Sequence, residues 1–136
     1  MSQKTEKAVN NYKNGYTCAQ AVACAFCEEA GIDEKTMFRL TEAQGVGLGG
    51  MEGHCGALSG AAAVLGAVNS TADLEKTDSK GKSIRLSREL TKRFQEKNGA
   101  VICRELKGIE TGRMLRSCPG CVEDAAEILE DILKEA

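Results

Sequence analysis

The sequence predicts an all-α fold: a compact single-domain bundle of five or six helices over residues 1–136, with 1–14 as a peripheral N-terminal segment. Three observations carry this. Apolar residues recur three and four positions apart in most stretches, which is the spacing of one helix face. Residues that start and stop helices bracket those stretches, among them Thr17 with Gln20, Gly31, Asp33, and Asn98-Gly99. β-Branched runs are few, and Pro119 is the single proline.

Residues 2–14 are polar, with weak periodicity and room for a short helix that Gly15 breaks. Thr17-Cys18-Ala19-Gln20 has the form of a capping box. The helix it opens is expected to run to about Ala30 and stop at Gly31, burying Ala19, Val22, Ala23, Phe26 and Ala30. At about 100° per residue, Cys18 lies beside that stripe, Cys24 nearly opposite with Gln20, and Cys27 at the margin. Asp33 caps a second helix through about Gln44, with Met37, Leu40 and Phe38 inward. A glycine-crowded loop over 45–53 then feeds a helix from Cys55 to about Asn69. Its Gly56, Gly60, Ala63 and Ala67 form a smooth face for close helix packing, or for a homodimer. Residues 70–82 form a loop and helix start, and 79–98 a helix on Leu86, Leu90 and Phe94 whose many basic residues make a solvated face. A short element covers 100–106 and Gly108 closes it. After a loop, Pro119 is expected at the first position of a last helix ending near Lys134, with Cys118 as its cap. Val122, Ala125, Ile128, Leu129 and Ile132 line its buried side, and its carboxylates face solvent.

Composition narrows the function. The chain is 42% hydrophobic and 28% charged, with net charge −2, so it lacks the basic footprint of a nucleic-acid binder. Without Trp, and with few other aromatics, it has no base-stacking platform. No signal-peptide core is visible at the N-terminus, and the apolar run from Gly56 to Val68 is too short to span a bilayer. A soluble, cytoplasmic protein is expected. There, seven cysteines act as free thiols, as metal or cluster ligands, or as a redox couple, not as a disulfide framework.

Cys18, Cys55, Cys103 and Cys118 each fall at or near an expected helix start. Helix N-termini present free N–H groups and the positive end of the helix dipole. Converging, they would suit thiolates, with Cys55 expected as a reactive or ligating thiol of lowered pKa. They would also suit an iron–sulfur cluster held by four cysteines.

On these residues the chain resembles the C_GCAxxG_C_C family of small proteins described as redox-active. The core is Cys55-Gly56-Ala57-Leu58-Ser59-Gly60. Thr17-Cys18-Ala19-Gln20-Ala21-Val22, Cys103-Arg104-Glu105-Leu106 and Cys118-Pro119 with Val122 flank it. The resemblance covers nearly all of the chain from about residue 15. It implies a redox role with four recurrent cysteines at Cys18, Cys55, Cys103 and Cys118. A similar module occurs in some cytochromes of anaerobes that also carry iron–sulfur centres. Cys121 gives this chain a CxxC where the pattern has one cysteine, and Cys24 and Cys27 are additional.

Four functions remain open. The first is a cluster-binding electron-transfer module with Cys18, Cys55, Cys103 and Cys118 as ligands, an oxidoreductase component served by a redox partner protein. The second is thiol–disulfide chemistry, with Cys118 attacking and Cys121 resolving, or Cys118 paired with Cys55 or Cys18. The third is structural zinc on the same four cysteines, with His54 beside them but exposed. The fourth is a helical adaptor with buried cysteines. Ser59 has no evident His and Asp partners, and the glycine loop lacks a Walker ending.

Overall fold

The computed structural model describes all of residues 1–136. The chain is helical throughout, with eight α-helices and no strand. They are α1 (Gln3–Lys13), α2 (Cys18–Cys24), α3 (Cys27–Ala30), α4 (Glu34–Thr41), α5 (Gly56–Asn69), α6 (Lys80–Asn98), α7 (Cys103–Lys107) and α8 (Cys118–Glu135). Between α4 and α5 lie a single 3-10 turn, Glu42–Gln44, and a wide turn, Gly47–Met51. The helical class agrees with expectation, and the count exceeds the expected five or six. No helix is long and apolar enough to cross a membrane.

The helix α2 lies at the centre, packed by α1, α4, α5 and α8. Every residue from Ala19 to Cys24 is buried. A helix enclosed on all sides has no solvent stripe, so Cys24 and Gln20, which lie opposite the expected buried stripe, are buried as well: Cys24 is 0% exposed. Gln20 meets burial with two partners. It closes the capping box with Thr17, and its amide donates to the Phe38 carbonyl at 3.0 Å.

Small residues let α5 approach α2 closely. A Cβ on Gly60 would meet the backbone of Ala19, with the carbonyl carbon at 3.0 Å and Cα at 3.1 Å. The Gly56–Gly60 face is therefore used inside the bundle, between α5 and α2. The helices α6 and α8 close the core with Leu90, Phe94, Val122, Ala125, Leu129 and Ile132.

Other expectations shift. The helix expected from Cys18 to Ala30 breaks at Ala25–Phe26, where Phe26 has φ −119° and ψ 28° and its side chain is fully buried. Leu40, expected inward, is 61% exposed. Within residues 1–14, α1 buries Thr5, Ala8 and Asn11 against α2 and α8. At the last helix the cap is one residue earlier than expected. Ser117 is the N-cap, its hydroxyl accepting from the Gly120 N–H at 3.1 Å, and Cys118 is the first helical residue. Asp124, expected in solvent, is fully buried between Arg116 and Lys97, at 3.0 and 2.8 Å.

Candidate functional site

Four helix starts each carry one cysteine. Cys18 opens α2, held by the Thr17 capping box. Cys55 is the N-cap residue of α5. Cys103 opens α7 and Cys118 opens α8. A short antiparallel pairing fixes two of them together: the Cys55 N–H donates to the Val101 carbonyl at 2.7 Å, and the Cys103 N–H to the Gly53 carbonyl at 2.9 Å. The glycine loop presses on the same place. A Cβ on Gly47 would lie 2.7 Å from the Cys103 Cβ, and one on Gly56 would lie 2.5 Å from the Cys18 sulfur. These two glycines are required by close approach rather than by turn geometry alone. The loop also holds three non-glycine residues at left-handed φ: Val46 (55°), Leu48 (60°) and Met51 (63°). Such conformations cost about 1–2 kcal/mol each and persist only where surrounding contacts impose them.

These starts open onto one cavity of about 360 Å³, lined by Cys18, Cys55, Cys103, Cys118 and Cys121 together with Tyr12, Tyr16, Val46, Lys107 and Arg116. Cys55, Cys103 and Cys121 are buried, and Cys18 and Cys118 are partly exposed. Cys121, one turn into α8, is the neighbour that acts most strongly on the Cys55 thiol. The Tyr12 hydroxyl stays protonated well above neutral pH, because burial, with Cys118 adding to it, pushes it up to about 12.

The thiols do not have the lowered pKa expected of Cys55. Cys121 and then burial push Cys55 far upward, and the Ala57 and Leu58 N–H groups of α5 only partly oppose this. Burial raises Cys18, with Cys55 and Cys118 adding to it, while the Val46 N–H opposes. Burial likewise raises Cys103, against Lys107 and with Cys55, Cys118 and Cys18. The main physical reason is burial, which disfavours the charged thiolate, with neighbouring thiols adding to it. A set of thiols that resist ionising beside one another ionises together only when positive charge sits among them, as a bound metal provides.

Two donor arrangements can be tested against this geometry. No three His, Cys, Asp or Glu side chains are gathered tightly enough to hold one metal ion. A closed zinc site needs four donors about 2.0–2.3 Å from the ion, closer than these side chains are gathered. The five thiols line a space of about 360 Å³. His54 is engaged elsewhere: its Nε2 lies 2.8 Å from the Ser59 hydroxyl. Ser59 therefore does have a histidine partner, which the sequence did not reveal. Cys24 and Cys27 stay outside the cavity, as their positions on the helix suggested.

Tyr12, Tyr16, Val46, Lys107 and Arg116 belong to the cavity and escaped the sequence. Four of them share adjacency as a signal: Tyr16, Lys107 and Arg116 lie within about a turn of a helix-start cysteine and Val46 lies on the glycine loop, whereas Tyr12 comes from the end of α1. Arg116 illustrates the geometry. A Cβ on Gly120 would lie 2.5 Å from its Nε, so the guanidinium lies across the start of α8, where it also binds Asp124 and Glu123.

Fold and site together define a small all-helical protein whose cysteines, delivered by separate helix starts, share one cavity. The chain belongs to the C_GCAxxG_C_C family, described as "Putative redox-active protein", which it matches over residues 16–132. No curated protein and no solved structure matches the chain.

Proposed function

We propose that the five-cysteine cavity is a redox centre in which Cys18, Cys55, Cys103 and Cys118 hold an iron–sulfur cluster for electron transfer to and from a partner protein. The observation that carries this is the convergence of five of the seven cysteines on one cavity from four helix starts. A bound cluster would supply electron transfer at a potential set by its hydrogen bonds and burial. The chain's own residues do the rest. The Val46 N–H favours a thiolate at Cys18, and the Ala57 and Leu58 N–H groups favour one at Cys55. Lys107 offsets negative charge at Cys103. Tyr12 and Tyr16 wall the cavity against water. The test is visible absorption of protein purified without oxygen, before and after dithionite. The proposal expects a broad iron–sulfur band that bleaches, disappears in Cys18→Ser and survives in Cys27→Ser. A colourless protein after reconstitution with iron and sulfide would contradict it.

A second reading is thiol–disulfide chemistry, and one contact favours a particular pair for it. Cys121 is the neighbour that acts most strongly on the Cys55 thiol, whereas Cys118 acts on Tyr12. If a dithiol works in this cavity, it is Cys55–Cys121 rather than the CxxC pair Cys118–Cys121.

A further inference from the structure

The two cysteines outside the cavity are also neighbours of each other. Cys24 ends α2 and Cys27 begins α3, on either side of the break at Ala25–Phe26. The fully buried Phe26 pins that break, because its ring sits in the core. On an unbroken helix, residues three apart hold their Cβ atoms about 5–6 Å apart, wider than the roughly 3.5–4.5 Å of a disulfide. Here the chain departs from helical geometry between them, at Ala25–Phe26, which frees the pair from that spacing. Cys24 is completely buried, while Cys27 is partly exposed. One reachable thiol backed by one sheltered thiol is the arrangement of a thiol–disulfide exchange pair.

We propose that Cys24 and Cys27 form a second redox site, separate from the cavity, which exchanges with low-molecular-weight disulfides. The Cys27 thiolate attacks one sulfur of the small disulfide, forming a mixed disulfide and releasing one small thiolate. Cys24, its proton lost to solvent or to that thiolate, then attacks the Cys27 sulfur. A Cys24–Cys27 bond forms and the second small thiolate leaves. Two protein thiols are oxidised, one small disulfide is reduced to two thiols, and the two protons end on the released thiols.

The surroundings set the pace. The buried Cys24 thiol is directed at the Glu34 carbonyl, at 4.0 Å, and Cys27 is the more exposed sulfur, which makes Cys27 the attacking one. Burial and Glu34 of α4 raise both thiols, Cys24 to about 12, while Lys7 of α1 opposes and Asp33 adds to the rise at Cys27. Exchange is therefore slow at neutral pH and accelerates as pH rises. Tyr16 separates this pair from the cavity: it lines the cavity, and its hydroxyl donates to Glu34 at 2.8 Å.

The experiment treats the reduced full-length protein with oxidised glutathione. Free thiols are then blocked, disulfides are reduced and relabelled, and each cysteine is assigned by peptide fragmentation. Trypsin leaves Cys18, Cys24 and Cys27 on one peptide, residues 14–35, so fragmentation within it is required. The expected result in the unmodified sequence is joint loss of the Cys24 and Cys27 thiols. In Cys24→Ala, one glutathione should remain on Cys27. In Cys27→Ala, which replaces the half-exposed partner and spares the core, Cys24 should stay free. Cys24 and Cys27 remaining free while cavity cysteines oxidise would overturn the proposal. So would glutathione on Cys24 in Cys27→Ala, or a disulfide joining either residue to a cavity cysteine. Iron content measured in Cys27→Ala keeps this result distinct from the fate of the cluster proposal.

Discussion

The same substitution at two glycines of α5 should act with opposite sign. Alanine is favoured over glycine in a helix by about 1 kcal/mol. At Gly66 nothing lies within 4 Å of the added Cβ, so Gly66→Ala should stabilise by about that amount. At Gly60 the Cβ meets Ala19 backbone, including its carbonyl oxygen, and backbone cannot swing aside as a side chain can. Overpacking of this kind costs about 1–3 kcal/mol, and a backbone clash belongs near the top of that range. Subtracting the helix-propensity gain leaves a net loss of about 2 kcal/mol for Gly60→Ala. Unfolding entropy is about 2.1 cal/mol/K per residue, so for a chain of 136 residues each kcal/mol moves Tm by about 3.5 °C. Thermal unfolding followed by circular dichroism should then place Gly60→Ala about 7 °C below the unmodified protein and Gly66→Ala about 3–4 °C above it. A Gly60→Ala protein as stable as the parent would refute the close α2–α5 packing that sets Cys18 beside Cys55.

Further outcomes follow from the same contacts. Asp124→Asn should destabilise by about 1–2 kcal/mol in urea unfolding, below the full value for a broken buried pair because Arg116 and Lys97 are partly exposed. Burial alone would raise Asp124, but Lys97 and Arg116 hold it below the usual carboxylate range. Its stabilisation is accordingly present above that range and lost as pH falls through the lowered value, so the gap to Asp124→Asn should close in acid. Ser117→Ala should cost about 1 kcal/mol through loss of the α8 cap, read from the urea midpoint. Leu48→Gly should stabilise by up to about 1 kcal/mol, because Leu48 is exposed and sits at positive φ. In metal-free reduced protein, iodoacetamide should modify Cys55 more slowly than a free cysteine at neutral pH, and faster as pH rises, since its thiol is held protonated.

Local chemistry made much of this legible in the sequence. The Thr17 capping box, the Asp33 cap and the stop glycines Gly31, Gly99 and Gly108 are short-range signals, and the structure uses each of them. The cysteine constellation was legible for the same reason, because a cysteine at a helix start is a local statement. What was not legible was long-range. The burial of Cys24 depends on four helices surrounding α2, and the depth of Asp124 depends on Arg116 and Lys97 reaching it from elsewhere in the chain. The upward shift of Cys55 has the same origin. The helix start pulls its pKa down as the sequence suggested, but Cys121 and burial win, and neither is visible until the chain is folded. Cys121 itself looked like half of a CxxC motif, and in the fold its partner is Cys55.

The most direct measurement is iron, zinc and acid-labile sulfide per chain in protein purified without oxygen, alone and as Cys55→Ala. The account predicts iron and sulfide in equal amounts, absent from Cys55→Ala and unchanged in Cys27→Ala. Zinc without sulfide, or neither metal with all cavity thiols free, would contradict it.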